Sequence, residues 1–117
     1  MAVWNEKVEK KYYKNGVLHR TNGPAVIKYD VSKSIEKKEY YQNGKLHRIN
    51  GPARIKYNIV GNIVKEEYWT NGLLHKLDGP AVIEYYNNGN IKEESYYIDG
   101  TYYDNIFLYS VMVGNLG

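Results

Sequence analysis

The stretch YYQNGKLHRINGPARIKY, from Tyr40 to Tyr57, decides the fold because the chain says nearly the same thing three times. YYKNGVLHRTNGPAVIKY runs from Tyr12 to Tyr29 and YWTNGLLHKLDGPAVIEY from Tyr68 to Tyr85, each offset by 28 residues. A fourth copy starts at Tyr96 as YYIDGTYY and then departs. Gly16, Gly44, Gly72 and Gly100 keep the spacing without slippage, as do Asn15, Asn43, Asn71 and Asp99. Such regularity predicts an array in which each unit buries its face against its neighbours.

Within a unit, a charged and aromatic segment such as KKEYY meets Asn-Gly, the pair that favours the two positive φ angles of a type I′ hairpin turn. A second extended segment follows. Gly51-Pro52 interrupts it, and because proline has no N–H to give to a ladder, the expectation is one long strand with a bulge there. Beyond the interruption, Ala25-Ile27-Tyr29, Ala53-Ile55-Tyr57 and Ala81-Ile83-Tyr85 share one face by period two, read as the buried face. The connectors DVSKS, NIVGN and YNNGN read as turns. Helix is disfavoured in the repeats by the recurring Asn-Gly and Gly-Pro and by β-branched and aromatic neighbours. The predicted fold is all-β: an antiparallel meander of about eight strands built from 28-residue β-hairpin repeats, forming a twisted single-layer sheet. Residues 1–105 form the array, three full copies and a partial fourth. Residues 106–117 form an apolar C-terminal cap or dimerisation segment.

Composition narrows the function classes. The chain has 117 residues, a one-domain length, and no cysteine, so disulfides and thiolate metal sites are excluded. Its 14 tyrosines supply much of the apolar area, which suits surfaces half buried and half wet. Basic and acidic residues are interspersed and net charge is only +3, so composition makes no strong case for nucleic acid. The N-terminus MAVWNEKVEKK lacks the order of a signal peptide and no apolar run approaches the roughly 20 residues of a membrane span, so a soluble, cytoplasmic protein is expected. The wealth of Lys, Asn, Ile and Tyr suggests an AT-rich genome, as in certain bacteria, their phages or large viruses.

The pattern Tyr13-Lys14-Asn15-Gly16-Val17-Leu18-His19 through Gly23 resembles a variant of the MORN (membrane occupation and recognition nexus) repeat. The resemblance covers about residues 4 to 105. It implies successive β-hairpins in an elongated sheet. The unit here is longer, His is followed by Arg or Lys, and Gly-Pro-Ala replaces the usual glycine step. Such Gly-Pro-Ala variants are similar to those of bacterial antitoxin-like and viral repeat proteins, which implies a non-catalytic protein-binding module, an antitoxin or a phage-borne inhibitor acting on a host protein.

Four sets of residues could carry chemistry. His19, His47 and His75 fall two strands apart in a meander, roughly 9 to 10 Å at a strand spacing of about 4.8 Å, too far to share one metal. No metal or other cofactor is expected, and each histidine is read as packing against an aromatic ring or bonding the backbone at the bulge. Arg20, Arg48 and Lys76 follow the histidines and fall on the opposite strand face, where they could track phosphates while aromatic columns stack on bases. Cross-strand pairing with Glu9, Glu39 and Glu67, or solvation, is the favoured reading and explains the same cations without any ligand. Of the two aromatic columns, Tyr13, Tyr41, Trp69 and Tyr97 share the parity of the apolar array, whereas Tyr12, Tyr40, Tyr68 and Tyr96 face the other way and are the candidate protein-binding surface. The serines lie in non-equivalent places with no shared His or Asp offset, so no catalytic residue is assigned.

The tail IFLYSVMVGNLG, from Ile106 to Gly117, is the most apolar run and falls where the fourth copy loses its motifs. Terminal units of arrays are atypical because an open end exposes edge and core. A last strand or short helix over the sheet is expected, or a homodimer contact through the tail or the strand near Tyr102 to Tyr109.

Overall fold

A computed structural model describes residues 8–116; the expectations for residues 1–7 of the array and for Gly117 lie outside them. Among the described residues the first element is β1 (Val8–Lys11), followed by a short hairpin from β2 (Tyr13–Lys14) and β3 (Val17–Leu18). β4 (Val26–Tyr29) and β5 (Ile35–Glu39) make a longer hairpin. The same sequence of elements recurs as β6 (Tyr41–Gln42), β7 (Lys45–Leu46), β8 (Arg54–Tyr57) and β9 (Ile63–Glu67). It recurs again as β10 (Trp69–Thr70), β11 (Leu73–Leu74), β12 (Val82–Tyr85) and β13 (Ile91–Ile98). β14 (Thr101–Tyr103) and α1 (Ile106–Leu116) close the chain. Strands β1, β4, β5, β8, β9, β12, β13 and β14 form one antiparallel sheet in chain order, an eight-stranded meander. The molecule is a thin slab of 60 × 40 × 18 Å.

The short hairpins are two-stranded ribbons outside that sheet. Their turns have φ of 52° at Asn43 and 82° at Gly44, with matching values at the other three Asn-Gly or Asp-Gly pairs, the type I′ geometry that pair dictates. Gly44 is also closely approached, since an added Cβ would lie 3.3 Å from Val17 of the preceding hairpin.

The expected long bulged strand is broken in two. Between β7 and β8 the chain leaves the ladder for residues 47–53, and the Gly-Pro pair marks this crossing. The bulges sit elsewhere, between Lys28 and Tyr29, Lys56 and Tyr57, and Glu84 and Tyr85, near the ends of the long hairpins. Where the chain rejoins the sheet, the alanines are pinned from both sides. Tyr40 N–H donates to the Ala53 carbonyl at 2.7 Å, and Ala53 N–H donates to the Glu67 carbonyl at 2.8 Å. Ala25, Ala53 and Ala81 are wholly buried, which leaves no room for a larger side chain.

Burial is shared between the two faces, contrary to the reading of a single buried face. Ile55 is buried on the expected side, where Tyr85 also donates its hydroxyl to Glu66, and burial together with that carboxylate pushes the Tyr85 phenol up to about 12. On the other side Val26, Glu39 and Glu67 are buried as deeply. The register sets Val26, Glu39, Arg54, Glu67 and Val82 side by side across five strands. Trp69 belongs to this side, against the parity expectation: its indole N–H donates to Glu67 Oε1 at 2.9 Å and Arg54 lies 5.5 Å from its ring centroid. The hairpins leave the sheet plane, so alternation does not carry across the crossing.

Candidate binding surface

The loops that follow the short hairpins, residues 19–25, 47–53 and 75–81, line up along one edge of the slab. Each opens with a histidine whose Nδ1 accepts a hydrogen bond from the turn of the next hairpin. Asn43 N–H reaches His19 at 2.9 Å, Asn71 N–H reaches His47 at 3.0 Å and Asp99 N–H reaches His75 at 2.9 Å. Adjacent backbone bonds, such as Gly44 N–H to the Leu18 carbonyl at 2.8 Å, complete the joint. The histidines therefore staple one unit to the next, with Nδ1 as acceptor. Among the described residues, no group of three or more His, Asp or Glu side chains is placed to hold a metal ion.

The next residue in each loop folds back onto a tyrosine. Arg20 lies 3.9 Å from the Tyr12 ring centroid, Arg48 3.9 Å from Tyr40 and Lys76 3.8 Å from Tyr68. Two residue sets that the sequence keeps apart, the tyrosine column and the cation column, are thus brought together as stacked pairs. Arg20 and Arg48 each donate from Nη1 to the carbonyl of the proline four residues on, at 3.2 Å. The guanidinium of Arg48 lies over Gly51, where a Cβ would meet it at 2.9 Å. This accounts for four residues of Arg-x-Asn-Gly-Pro-Ala: the arginine stacks on the ring, glycine leaves space for the cation, the proline carbonyl receives it, and alanine re-enters the ladder.

The acids expected to pair with these cations are engaged elsewhere. Glu39 accepts from Arg54 Nε at 2.7 Å and lies 3.6 Å from Lys37 Nζ. Glu67 accepts from Arg54 Nη1 at 2.9 Å and lies 3.3 Å from Lys65 Nζ, while Glu9 lies 3.4 Å from Lys11. Burial pushes the Glu67 carboxyl up, but Trp69, Arg54 and Lys65 together outweigh it and hold the group below the usual carboxylate range. Burial works against the Arg54 charge, yet the flanking carboxylates raise its affinity for the proton. Burial, then Glu39, raises the Tyr41 phenol on the same side. The sequence carried a signal for this centre: Arg54 stands where the other units have Val26 and Val82.

Grooves open between successive loops. One of about 560 Å³ lies between residues 20–23 and Tyr40, Gln42 and Arg48. The next, of about 370 Å³, lies between residues 48–51 and Tyr68, Thr70 and Lys76. Ile49, on the rim between them, is 84% exposed. The corresponding space between the third loop and Tyr96 is filled by Tyr109 of α1, whose ring centroid lies 4.7 Å from that of Tyr96. Burial, with Glu94 and Tyr109 beside it, pushes the Tyr96 phenol up. Sequence reasoning missed Tyr109 because the helix has no counterpart in the repeat.

No described helix is long and apolar enough to cross a membrane. No family model, curated protein or solved structure matches the chain.

Proposed function

We propose that this chain is a non-catalytic, MORN-like repeat module that binds a protein through its loop edge, in the manner of an antitoxin or an inhibitor of a host protein. The observation that carries the reading is the series of loops presenting an outward apolar residue, Ile49 and then Leu77, between tyrosine–cation stacks. Rigid aromatic and arginine groups around an apolar centre are the composition of protein interfaces, and the stacks hold them in place before a partner arrives. A photo-crosslinking benzoylphenylalanine in place of Ile49, introduced in the native host, is expected to trap one protein species. The same group in place of Ile59, which is 82% exposed on a long-hairpin turn, is the control. Equal yields from both positions would sink the reading.

A second reading, single-stranded nucleic acid along Arg20, Arg48 and Lys76, is favoured by the absence of any carboxylate partner for these three among the described residues. It requires binding of a labelled oligonucleotide that weakens steeply as salt rises. No anisotropy change at low salt removes it.

The helix α1 supports self-association. It carries no charged residue, and Ile106, Phe107, Leu108, Val111 and Met112 are exposed on it. A second copy of the same uncharged face would cover them with two-fold symmetry. Light scattering should report a dimer that Phe107→Asp with Leu108→Asp converts to a folded monomer. A monomer for the unmodified chain at high micromolar concentration would leave α1 as an intramolecular cap only.

A further inference from the structure

We infer that the groove between residues 48–51 and Tyr68 receives a tyrosine side chain carried on an acidic segment of the protein partner. The inference rests on the protein-binding reading above and names the ligand chemistry. Its template lies one unit along the same edge. Tyr109 is 5% exposed, its ring packs on Tyr96, and its hydroxyl sits among the backbone groups of the third loop. That hydroxyl is 2.6 Å from the Lys76 carbonyl and 2.8 Å from the Gly79 carbonyl, either of which can take its proton, and it accepts from Gly79 N–H at 3.0 Å.

One unit back, the corresponding groups are the Arg48 carbonyl and the carbonyl and N–H of Gly51, with Tyr68 in the place of Tyr96. No hydrogen bond among the described residues uses them. Two units back the match is poorer, because Gln42 Nε2 already donates to the Arg20 carbonyl at 2.9 Å. The residue equivalent to Gln42 in the second groove is Thr70, too short to do the same, so this groove keeps its carbonyl open. The opening of about 370 Å³ falls within the roughly 300–1,000 Å³ of ligand clefts. Its rim supplies the charge preference: Arg48 and Lys76 stand against one acid, Asp78, so carboxylates flanking the tyrosine are favoured.

The test titrates the isotopically labelled full chain with acetyl-Glu-Glu-Tyr-Glu-Glu-amide and follows backbone amides by NMR. The Gly51 amide should shift saturably while the Gly79 amide, already bonded to Tyr109, stays still. Replacing the peptide tyrosine by alanine should weaken binding by about tenfold or more, and phenylalanine by a smaller factor, since the ring and the hydroxyl each contribute. Thr70→Gln, which copies the arrangement at Gln42, should weaken the tyrosine peptide several-fold by occupying the Arg48 carbonyl. Tyr109→Ala should open a second site, seen as a new shift at Gly79; should that variant not fold, Thr70→Gln alone decides. A still Gly51 amide at millimolar peptide, or equal binding of the alanine peptide, overturns the inference. If Ile49 crosslinks still trap one protein while the peptide gives no shift, the binding module stands and the tyrosine groove falls. If the peptide binds while the crosslinks show no preference, the reverse holds.

Discussion

Two arginines six positions apart, Arg48 on the loop edge and Arg54 on the sheet, meet opposite surroundings. Arg54 spans two carboxylates that are themselves buried, donating from Nε to Glu39 and from Nη1 to Glu67. Arg48 lies on a tyrosine ring with one backbone carbonyl as its polar partner and the rest of its fork facing a groove. The pair separates charge held between buried carboxylates from charge stacked on a ring at the loop. A cation flanked by buried acids cannot be removed without stranding them, whereas a cation on an aromatic face is held mainly by its stem and can still meet a ligand.

The most severe challenge to this contrast is Arg54→Ala. It leaves Glu39 and Glu67 buried without their shared partner, and the expected cost is about 3 kcal/mol, the scale for orphaning buried charges. Chemical denaturation should show a large drop in midpoint. A loss below about 1 kcal/mol would mean that Lys37 and Lys65 alone can neutralise the pair.

Acid should erase part of the same contrast. The Glu67 carboxyl is held below the usual carboxylate range, so its contribution is fully present above that range and is lost as pH falls through the folded value. Trp69→Phe removes one of the donors that depress it. The variant is expected to be about 2 kcal/mol less stable at neutral pH, the scale of a hydrogen bond to a charged group. The gap to the parent should close once both carboxyls are protonated. A gap that stays constant down to pH 2 would assign the loss to indole packing instead of to the bond.

Much of this is open to reading in the sequence, and most failures come from carrying alternation too far. The Asn-Gly turns at 43–44, the antiparallel meander and the alanine-led strands follow from local rules: two positive φ angles, period two, and a ladder without proline. Parity reasoning fails across Gly51-Pro52, because residues 47–53 cross from hairpin to sheet and alternation has no meaning through a crossing. Arg20, Arg48 and Lys76 consequently do not touch the acids that parity assigns them, and Tyr41 and Trp69 leave the side of the isoleucines. The tyrosine and cation columns are both legible as outward-facing features, but their stacking needs the loop to fold back, which spacing alone does not encode. Position 54 holds the unused signal: an arginine where two equivalent units keep valine marks a place where charge has entered a ladder row.

On the edge itself, Arg48→Ala removes a stacked cation and its bond to the Pro52 carbonyl but strands no buried charge. The expected cost is about 1 kcal/mol. Its effect on partner crosslinking at position 49 should be larger than its effect on stability, the reverse of what Arg54→Ala would show. Equal stability losses from the two alanine variants would collapse the distinction between edge and sheet.

The mildest change is Arg48→Lys, and the molecule already holds the comparison. Lys76 occupies the same place in the third unit, at 3.8 Å from the Tyr68 centroid, against 3.9 Å for Arg48 on Tyr40. The charge and the ring contact therefore survive the exchange. What goes is the fork that reaches the Pro52 carbonyl, so a loss of about 0.5 kcal/mol is expected, the low end for a neutral acceptor at a partly exposed site. Arg54→Lys should cost distinctly more, because one ammonium cannot reproduce the Nε contact to Glu39 and the Nη1 contact to Glu67 together. Thermal unfolding of the two lysine variants side by side reads the contrast directly. Equal losses would mean that position 48 depends on guanidinium geometry as strictly as position 54 does, and that the loop is built around its arginine instead of holding it for use.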